Sequence, residues 1–220
     1  MISIVLPVYN GADLLPRVLS SIEAQSYPPR EVIIVNDAST DSTDEIINQF
    51  KLRNSIVRII NHQKNQGSTS AANSGFKEAK SKYVMKIDHD DYLENHCLFL
   101  LNNAVKVNPN KVFYYGDYYE IEDNKLFYKK MLHPFDTAAN SILYNTIKLK
   151  NVGYYSTDIL FAEYQLLLKL GLENGFYIDK PLYTYCRREG SLTKSEWYEQ
   201  ALNQFKKIYG ELLAKRIRPY

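Results

Sequence analysis

Cysteine is scarce in this chain: 220 residues contain two, Cys97 and Cys186. Their separation fits neither a disulfide framework nor a metal-binding spacing, and so small a number suits a reducing compartment. An excess of one charge is also missing. Lys and Arg number 27 against 25 Asp and Glu, a net charge of +2, so no global basic field is present to attract nucleic acid. No apolar run reaches the roughly 18 residues that cross a bilayer. The opening Met1-Ile2-Ser3-Ile4-Val5-Leu6-Pro7 is short and lacks a basic lead, which argues against a secretory signal. Together these absences point to a cytoplasmic protein. Glycine is sparse where nucleotide folds often need it. Neither Gly-x-Gly-x-x-Gly nor a Walker pattern follows the first apolar run, which excludes the common dinucleotide and P-loop sites. There is no repeat, low-complexity tract or linker, so the whole length is expected to share one sheet.

What is present is an alternation of short apolar runs and helical patterns. Strands are expected at Ile2–Val8, Glu31–Asn36, Ile56–Asn61 and Tyr83–Asp88. Val32-Ile33-Ile34-Val35 is apolar without alternation, as a strand buried on both faces requires. Between them, Asp13–Ala24 carries Leu14, Leu15, Val18, Leu19 and Ile22 at helical spacing, with Pro16 in the first turn. Ser42 and Glu45 form a capping-box pattern that opens a helix to Phe50, and Thr69–Lys80 is an Ala-rich helix. Such alternation means βαβ units and a parallel sheet. The second half is less regular. It reads as a helix at Asn95–Val107, a hairpin of Lys111–Ile121 with Leu126–Leu132, and a helix at Glu163–Gly171. Short strands at Phe176–Ile178 and Leu182–Cys186 and an amphipathic helix at Ser195–Lys215 complete it.

The most informative stretch is Asp88-His89-Asp90-Asp91, three carboxylates directly after the apolar run Tyr83–Ile87. Like charges so close repel and raise one another's pKa, which a bound cation relieves. Hard oxygen ligands suit Mg²⁺ or Mn²⁺, and these suit diphosphates. A solvated acidic turn is the plainer alternative, Asp being a common turn residue. In a parallel sheet, ligands bind beyond the carboxyl ends of the strands. That edge would gather Pro7-Val8-Tyr9-Asn10, Asn36-Asp37-Ala38-Ser39, the segment Asn61–Gly67 and the acidic turn. Without a glycine-rich loop, phosphates are left to metal, basic side chains or isolated amides. Arg187, Arg188 and the amides near Gly67 are the candidates.

Those four segments, in that order and at those gaps, resemble the inverting family-2 glycosyltransferases of the GT-A fold. The resemblance runs over nearly the whole chain and is strongest from Ser3 to Asp91. It implies an α/β fold with a mostly parallel, Rossmann-type central sheet flanked by helices and a smaller irregular acceptor-side half. Residues 1–93 would bind the nucleotide sugar, and 94–220 would complete the same domain with the acceptor site. Pro7, Val8 and Tyr9 would contact the donor base, and Asp37 would accept from uracil N–H. Asn65 and Gly67 would belong to the donor loop. Asp88 would reach the ribose or the metal, Asp90 would ligate Mn²⁺ or Mg²⁺, and Asp91 would support the turn. The expected partners are a nucleotide-sugar donor, UDP-linked by preference, and a glycan or lipid-linked acceptor.

Two departures matter. Inversion needs a base for the acceptor hydroxyl, which the family supplies from the Asp of a Glu-Asp pair opening a Tyr-x-Leu-x-Leu-Arg helix. Here Ala162 replaces the Glu, Glu163 the Asp and Lys169 the Arg, so Glu163 is the expected base, with Asp158 next in line. Its helix-terminal position favours the charged form. Near the end, Tyr185-Cys186-Arg187-Arg188 puts Arg188 where the family often has His. A guanidinium cannot ligate metal but can grip phosphate. A silent nucleotide-sugar binder and a nucleotidyltransferase remain as alternatives. The C-terminal helix carries an apolar stripe through Trp197, Ala201, Phe205, Ile208, Leu212 and Leu213, with Lys206, Lys207, Lys215, Arg216 and Arg218 beside or beyond it. Packing on the domain and peripheral contact with an anionic membrane both fit that pattern.

Overall fold

The computed structural model describes residues 1–136, 140–158, 161–188 and 196–210. Four parallel strands form its first half: β1 (Ile2–Val8), β2 (Glu31–Asn36), β3 (Val57–Asn61) and β4 (Tyr83–Lys86), in the order β3-β2-β1-β4. The register sets Val8 beside Asn36 and Asn36 beside Asn61, so three strands end level. β1 and β2 are buried at every position, which is why their sequences carry no polar alternation. The crossovers are α1 (Leu15–Glu23), α2 (Thr43–Arg53) and α3 (Ser68–Glu78). Gly75 lets α3 press onto β1, since a Cβ there would stand 2.3 Å from Val5 Cγ1. The capping box is corrected. Ser42 makes no side-chain cap; instead Asp41 accepts from Thr43 N at 3.0 Å and from Ala12 N at 3.1 Å. An aspartate one position earlier does the capping and also holds the loop before α1.

The sheet continues past β4 with a change of direction. β8 (Leu143–Asn145) runs antiparallel to β4 and to β6 (Phe113–Glu122), which runs parallel to β9 (Gly175–Cys186). β5 (Tyr92–Leu93) closes that edge on β9, and β7 (Lys125–Lys129) folds back on β6. The sheet is therefore mixed, parallel through its first four strands and largely antiparallel beyond. β5 and β8, with two and three residues, were not expected from sequence. They exist through pairing with distant strands, not through their own composition. The two short strands expected after residue 175 are one strand, with a register irregularity opposite Asp117. Two further helices carry the second half, α4 (Cys97–Val107) and α6 (Ala162–Leu170), with a short α5 (Thr146–Asn151) between them.

α7 (Glu196–Tyr209) packs on the domain. Phe205 is 1% exposed, and its ring lies 6.2 Å from Phe161 and 6.3 Å from Tyr164. Leu212, Leu213, Lys215, Arg216 and Arg218, part of the stripe read as a membrane contact, lie outside the described residues. No helix among the described residues is long and apolar enough to cross a membrane.

At the amino edge of the parallel strands, buried Glu31 accepts from Ser3 Oγ at 2.7 Å, Lys80 N at 2.7 Å and Arg58 Nη1 at 3.1 Å. Burial pushes its pKa up, but these donors and the Arg58 charge outweigh that and hold it below the usual carboxylate value. A lowered folded pKa stabilises the fold above the unfolded pKa, and that contribution is lost as pH falls through the folded value. Glu31→Gln is expected to cost about 1–3 kcal/mol at neutral pH, the scale for hydrogen bonds to a charged group. Urea melts should find the gap from wild type narrowing below about pH 4.

Candidate active site

The carboxyl ends of β1 and β2 are stitched into one rim. Asn10 Oδ1 accepts from Thr40 N at 2.8 Å, Asn10 N donates to Ser39 Oγ at 3.0 Å, and Gly11 N donates to Thr43 Oγ1 at 2.9 Å. Asn10 and Ala38 take positive φ, 47° and 60°. Asn tolerates that region, but Ala does not readily, so the rim holds backbone strain of the kind found at functional sites. Pro7 and Val8 are buried at the end of β1, while Tyr9 is 43% exposed.

Asp37 does not present a free carboxylate. It is 2% exposed. Its Oδ1 pairs with His62 Nδ1 at 2.6 Å and accepts from Gln66 N at 3.0 Å, while Oδ2 accepts from Gln66 N at 3.1 Å and Gly67 N at 2.8 Å. A carboxylate has about four lone-pair sites, and three donors engage Asp37: His62, Gln66 N, shared between the two oxygens, and Gly67 N. In the structure Asp37 anchors the loop ahead of α3, at the edge where the uracil contact was expected. Asn65 assists, its Oδ1 accepting from Gly67 N at 3.0 Å, and Gly67 adopts φ +86° at the α3 N-cap. His62, which sequence reading passed over, completes the clamp and contacts Ser74 Oγ at 2.9 Å.

The acidic turn follows β4 at the same edge. Asp91 is buried, and its carboxyl accepts from Cys186 N at 2.9 Å and from the Asn140 side chain. Burial, then the neighbouring charges of Asp90 and Asp88, raise its pKa well above the ordinary value. Asp91 thus ties the turn to the end of β9. Arg17 adds a bond to the Asp90 carbonyl. The side chains of Asp88 and Asp90 are 28% and 24% exposed.

Each has a cation. Arg188 donates to Asp90 Oδ2 from Nε at 3.1 Å and Nη2 at 2.8 Å. Lys86 Nζ lies 3.0 Å from both oxygens of Asp88 and 3.8 Å from Glu163 Oε1. Burial alone would lower the Lys86 pKa; the charges of Asp88 and then Glu163 reverse that and raise it, so it is an ammonium. Arg187 turns away: its Nε lies 3.1 Å from Glu120 and its Nη1 3.3 Å from Glu122, both on β6. The structure thus places Arg187 on the β6 carboxylates and not at the acidic turn. Of the two arginines, Arg188 is the one at the acidic turn.

Glu163 sits in the first turn of α6, whose N-cap Phe161 has φ 62° and offers no side-chain cap. The Phe161 and Tyr164 rings, 5.7 Å apart, seat that turn against Phe135 and Phe205. The fold thus brings together a strand end and a helix start remote in sequence. Asp158, the second candidate base, is exposed and accepts from Thr157 Oγ1 at 3.2 Å.

No three His, Cys, Asp or Glu side chains converge as a preformed metal site among the described residues. The donor set nonetheless fits a hard cation of the Mg²⁺ or Mn²⁺ type. The Arg188 bonds leave Asp90 Oδ1 outside the pair, and such ions are held by one or two carboxylates plus substrate phosphates and water.

The model of glycosyl transferase family 2 matches residues 3–169, and the chain belongs to that family. A poly-beta-1,6-N-acetyl-D-glucosamine synthase of Staphylococcus epidermidis is 32% identical over 189 residues, covering 78% of this chain and 46% of the synthase. Glycosyltransferase GlyG of Streptococcus pneumoniae is 25% identical over 224 residues, covering 90% of this chain and 74% of GlyG. This chain thus spans under half the length of the Staphylococcus epidermidis synthase. Residues 1–349 of Staphylococcus aureus TarS, solved with UDP-GlcNAc, superpose with a TM-score of 0.75 at 18% identity, over 98% of this chain and 70% of that one. The mannosyltransferase PcManGT of Pyrobaculum calidifontis, solved with GDP-Man and Mn²⁺, gives 0.65 at 18% identity, over 94% and 61%. At such identity the likeness is one of fold.

Proposed function

We propose that this chain transfers a sugar, with inversion, from a UDP-sugar to a hydroxyl of a glycan or lipid-linked acceptor. One observation carries the reading: the Glu163 carboxylate and the Asp88–Asp90 turn meet across Lys86 at the carboxyl edge of the parallel strands. That arrangement supplies a base beside a diphosphate-binding edge.

The roles follow from chemistry and position. The exposed Tyr9 ring, over Pro7 and Val8, offers the base a stacking face. Asp37, through Gln66 N and Gly67 N, sets the loop that borders it. Asp90 would hold the divalent cation, with Asp88 as second carboxylate or ribose contact. When bound, that cation offsets the charge of the departing diphosphate. Arg188 can turn from Asp90 to the diphosphate oxygens, which a guanidinium grips well. Glu163 takes the proton from the acceptor hydroxyl as its oxygen attacks the anomeric carbon. The S. epidermidis relative is named as a synthase of an N-acetylglucosamine polymer, and TarS was solved with UDP and with UDP-GlcNAc. TarS supports a UDP-linked donor and the synthase an N-acetylglucosamine unit, so UDP-GlcNAc is the first to try.

A second reading, a silent UDP-sugar binder, draws on the Arg188–Asp90 pair, which occupies one of the carboxylates that a metal would need. Release of UDP from UDP-GlcNAc in Mn²⁺, with water as fallback acceptor, separates the two. Steady release of UDP supports the transferase. Binding without release supports the silent binder.

A further inference from the structure

Lys86 is a buried charged group at the site that the reaction above leaves without a task. It ends β4 in the run Tyr83-Val84-Met85-Lys86-Ile87, where its neighbours are apolar and buried, and it is itself 6% exposed. Its ammonium lies 3.0 Å from both oxygens of Asp88 and 3.8 Å from Glu163 Oε1. The Tyr144 phenol lies beside the ammonium and Tyr155 beside Glu163, and both are buried. A buried ion pair is poor evidence for stability, because an apolar side chain of similar volume often serves the fold as well or better. Met, which fills irregular apolar space readily, would complete this strand. A lysine here is better explained by what it holds than by what it packs against.

We propose that Lys86 is a positioning residue for the transfer, fixing the Glu163 carboxylate against the donor edge from its seat on the rigid central strand. The inference rests on the reading of Glu163 as the base. α6 has no side-chain cap and is preceded by a residue at positive φ, so the local backbone alone constrains the glutamate weakly. β4, by contrast, is paired on both sides, to β1 and to β8. An ammonium extended from that strand ties the longer glutamate arm to a fixed point. It also sets Glu163 and Asp88 in one frame, so base and donor edge keep a constant separation. This suits a chain whose base is Glu where the motif has Asp, since the longer arm has one more rotatable bond to restrain. Small displacements of a reacting group are costly, about 10²-fold for a shift near 1 Å.

The test is a double-mutant cycle on UDP release from UDP-GlcNAc in Mn²⁺, using Lys86→Met, Glu163→Gln and the pair. UDP affinity and a thermal melt read the fold and the donor edge. The inference expects kcat of Lys86→Met to fall roughly tenfold or more with UDP still bound. It also expects Lys86→Met to add little when Glu163 is already Gln, because it acts through that group. If Glu163→Gln turns over like wild type, the base reading is wrong and this inference falls with it. If Glu163→Gln collapses while Lys86→Met matches wild type, or if the two losses multiply, the base reading stands and the Lys86 inference is overturned. Should Lys86→Met not fold, Lys86→Gln enters the same cycle with the same expected outcomes.

Discussion

Glu163→Gln is expected to lower turnover by about 10² or more, the scale for a lost general base, while donor affinity stays close to wild type. The amide keeps the volume of the carboxylate and cannot take a proton. The donor contacts lie on other elements, the rim after β1 and the loop ahead of α3, so affinity has no reason to move. Lys86 keeps both oxygens of Asp88 at 3.0 Å, so its ammonium is not left without a counter-charge. Stability should therefore change little. A kcat loss with unchanged donor affinity marks an interaction made only as the hydroxyl attacks. Unchanged turnover in this variant would move the base elsewhere, with Asp158 the next residue to test.

Asp90→Asn carries the second large effect, on the donor side. The substitution removes the hard anionic oxygen that lies outside the Arg188 pair and keeps the volume. The Asp90–Arg188 pair is partly exposed on both sides, 24% and 45%. Pairs of that kind add little to stability, so the variant should melt near wild type. The strengthening of UDP-GlcNAc binding by Mn²⁺ should vanish. A loss of about 10² or more in Mn²⁺-dependent affinity is expected, given that even outer-shell partners of a metal are worth 10–100-fold. Metal-free binding could rise modestly, because Arg188 is then freed for the diphosphate. If the variant binds donor and Mn²⁺ like wild type, the metal assignment is wrong.

Much of the first half was legible because its signals are local. β1 and β2 are unbroken apolar runs, and the acidic turn stands where the β4 run stops. Glu163 was legible only through a motif, and its nearness to Asp88 depends on a contact between β4 and α6 that no local pattern encodes. Lys86 left one trace, a charge inside an apolar strand, which was passed over as a strand residue. Asp37 was placed at the right edge, but its hold on the loop ahead of α3 was not foreseen. The amides it binds, Gln66 N and Gly67 N, are backbone groups that residue identity does not advertise. Arg187 and Arg188 were indistinguishable in sequence. In extended chain, neighbouring side chains point to opposite sides, and that alternation sends one to Glu120 and Glu122 and the other to Asp90. β5 and β8 were hidden because two or three residues carry no periodicity.

The central claim is that the edge formed by the rim, the loop ahead of α3 and the acidic turn is a UDP-sugar site. A calorimetric titration of UDP-GlcNAc into the wild-type protein, with and without Mn²⁺ and with CDP as competitor, tests it most directly. The account predicts saturable binding that Mn²⁺ tightens and that UDP displaces better than CDP. Absence of binding with Mn²⁺ present, or tighter binding of CDP than UDP, would contradict it.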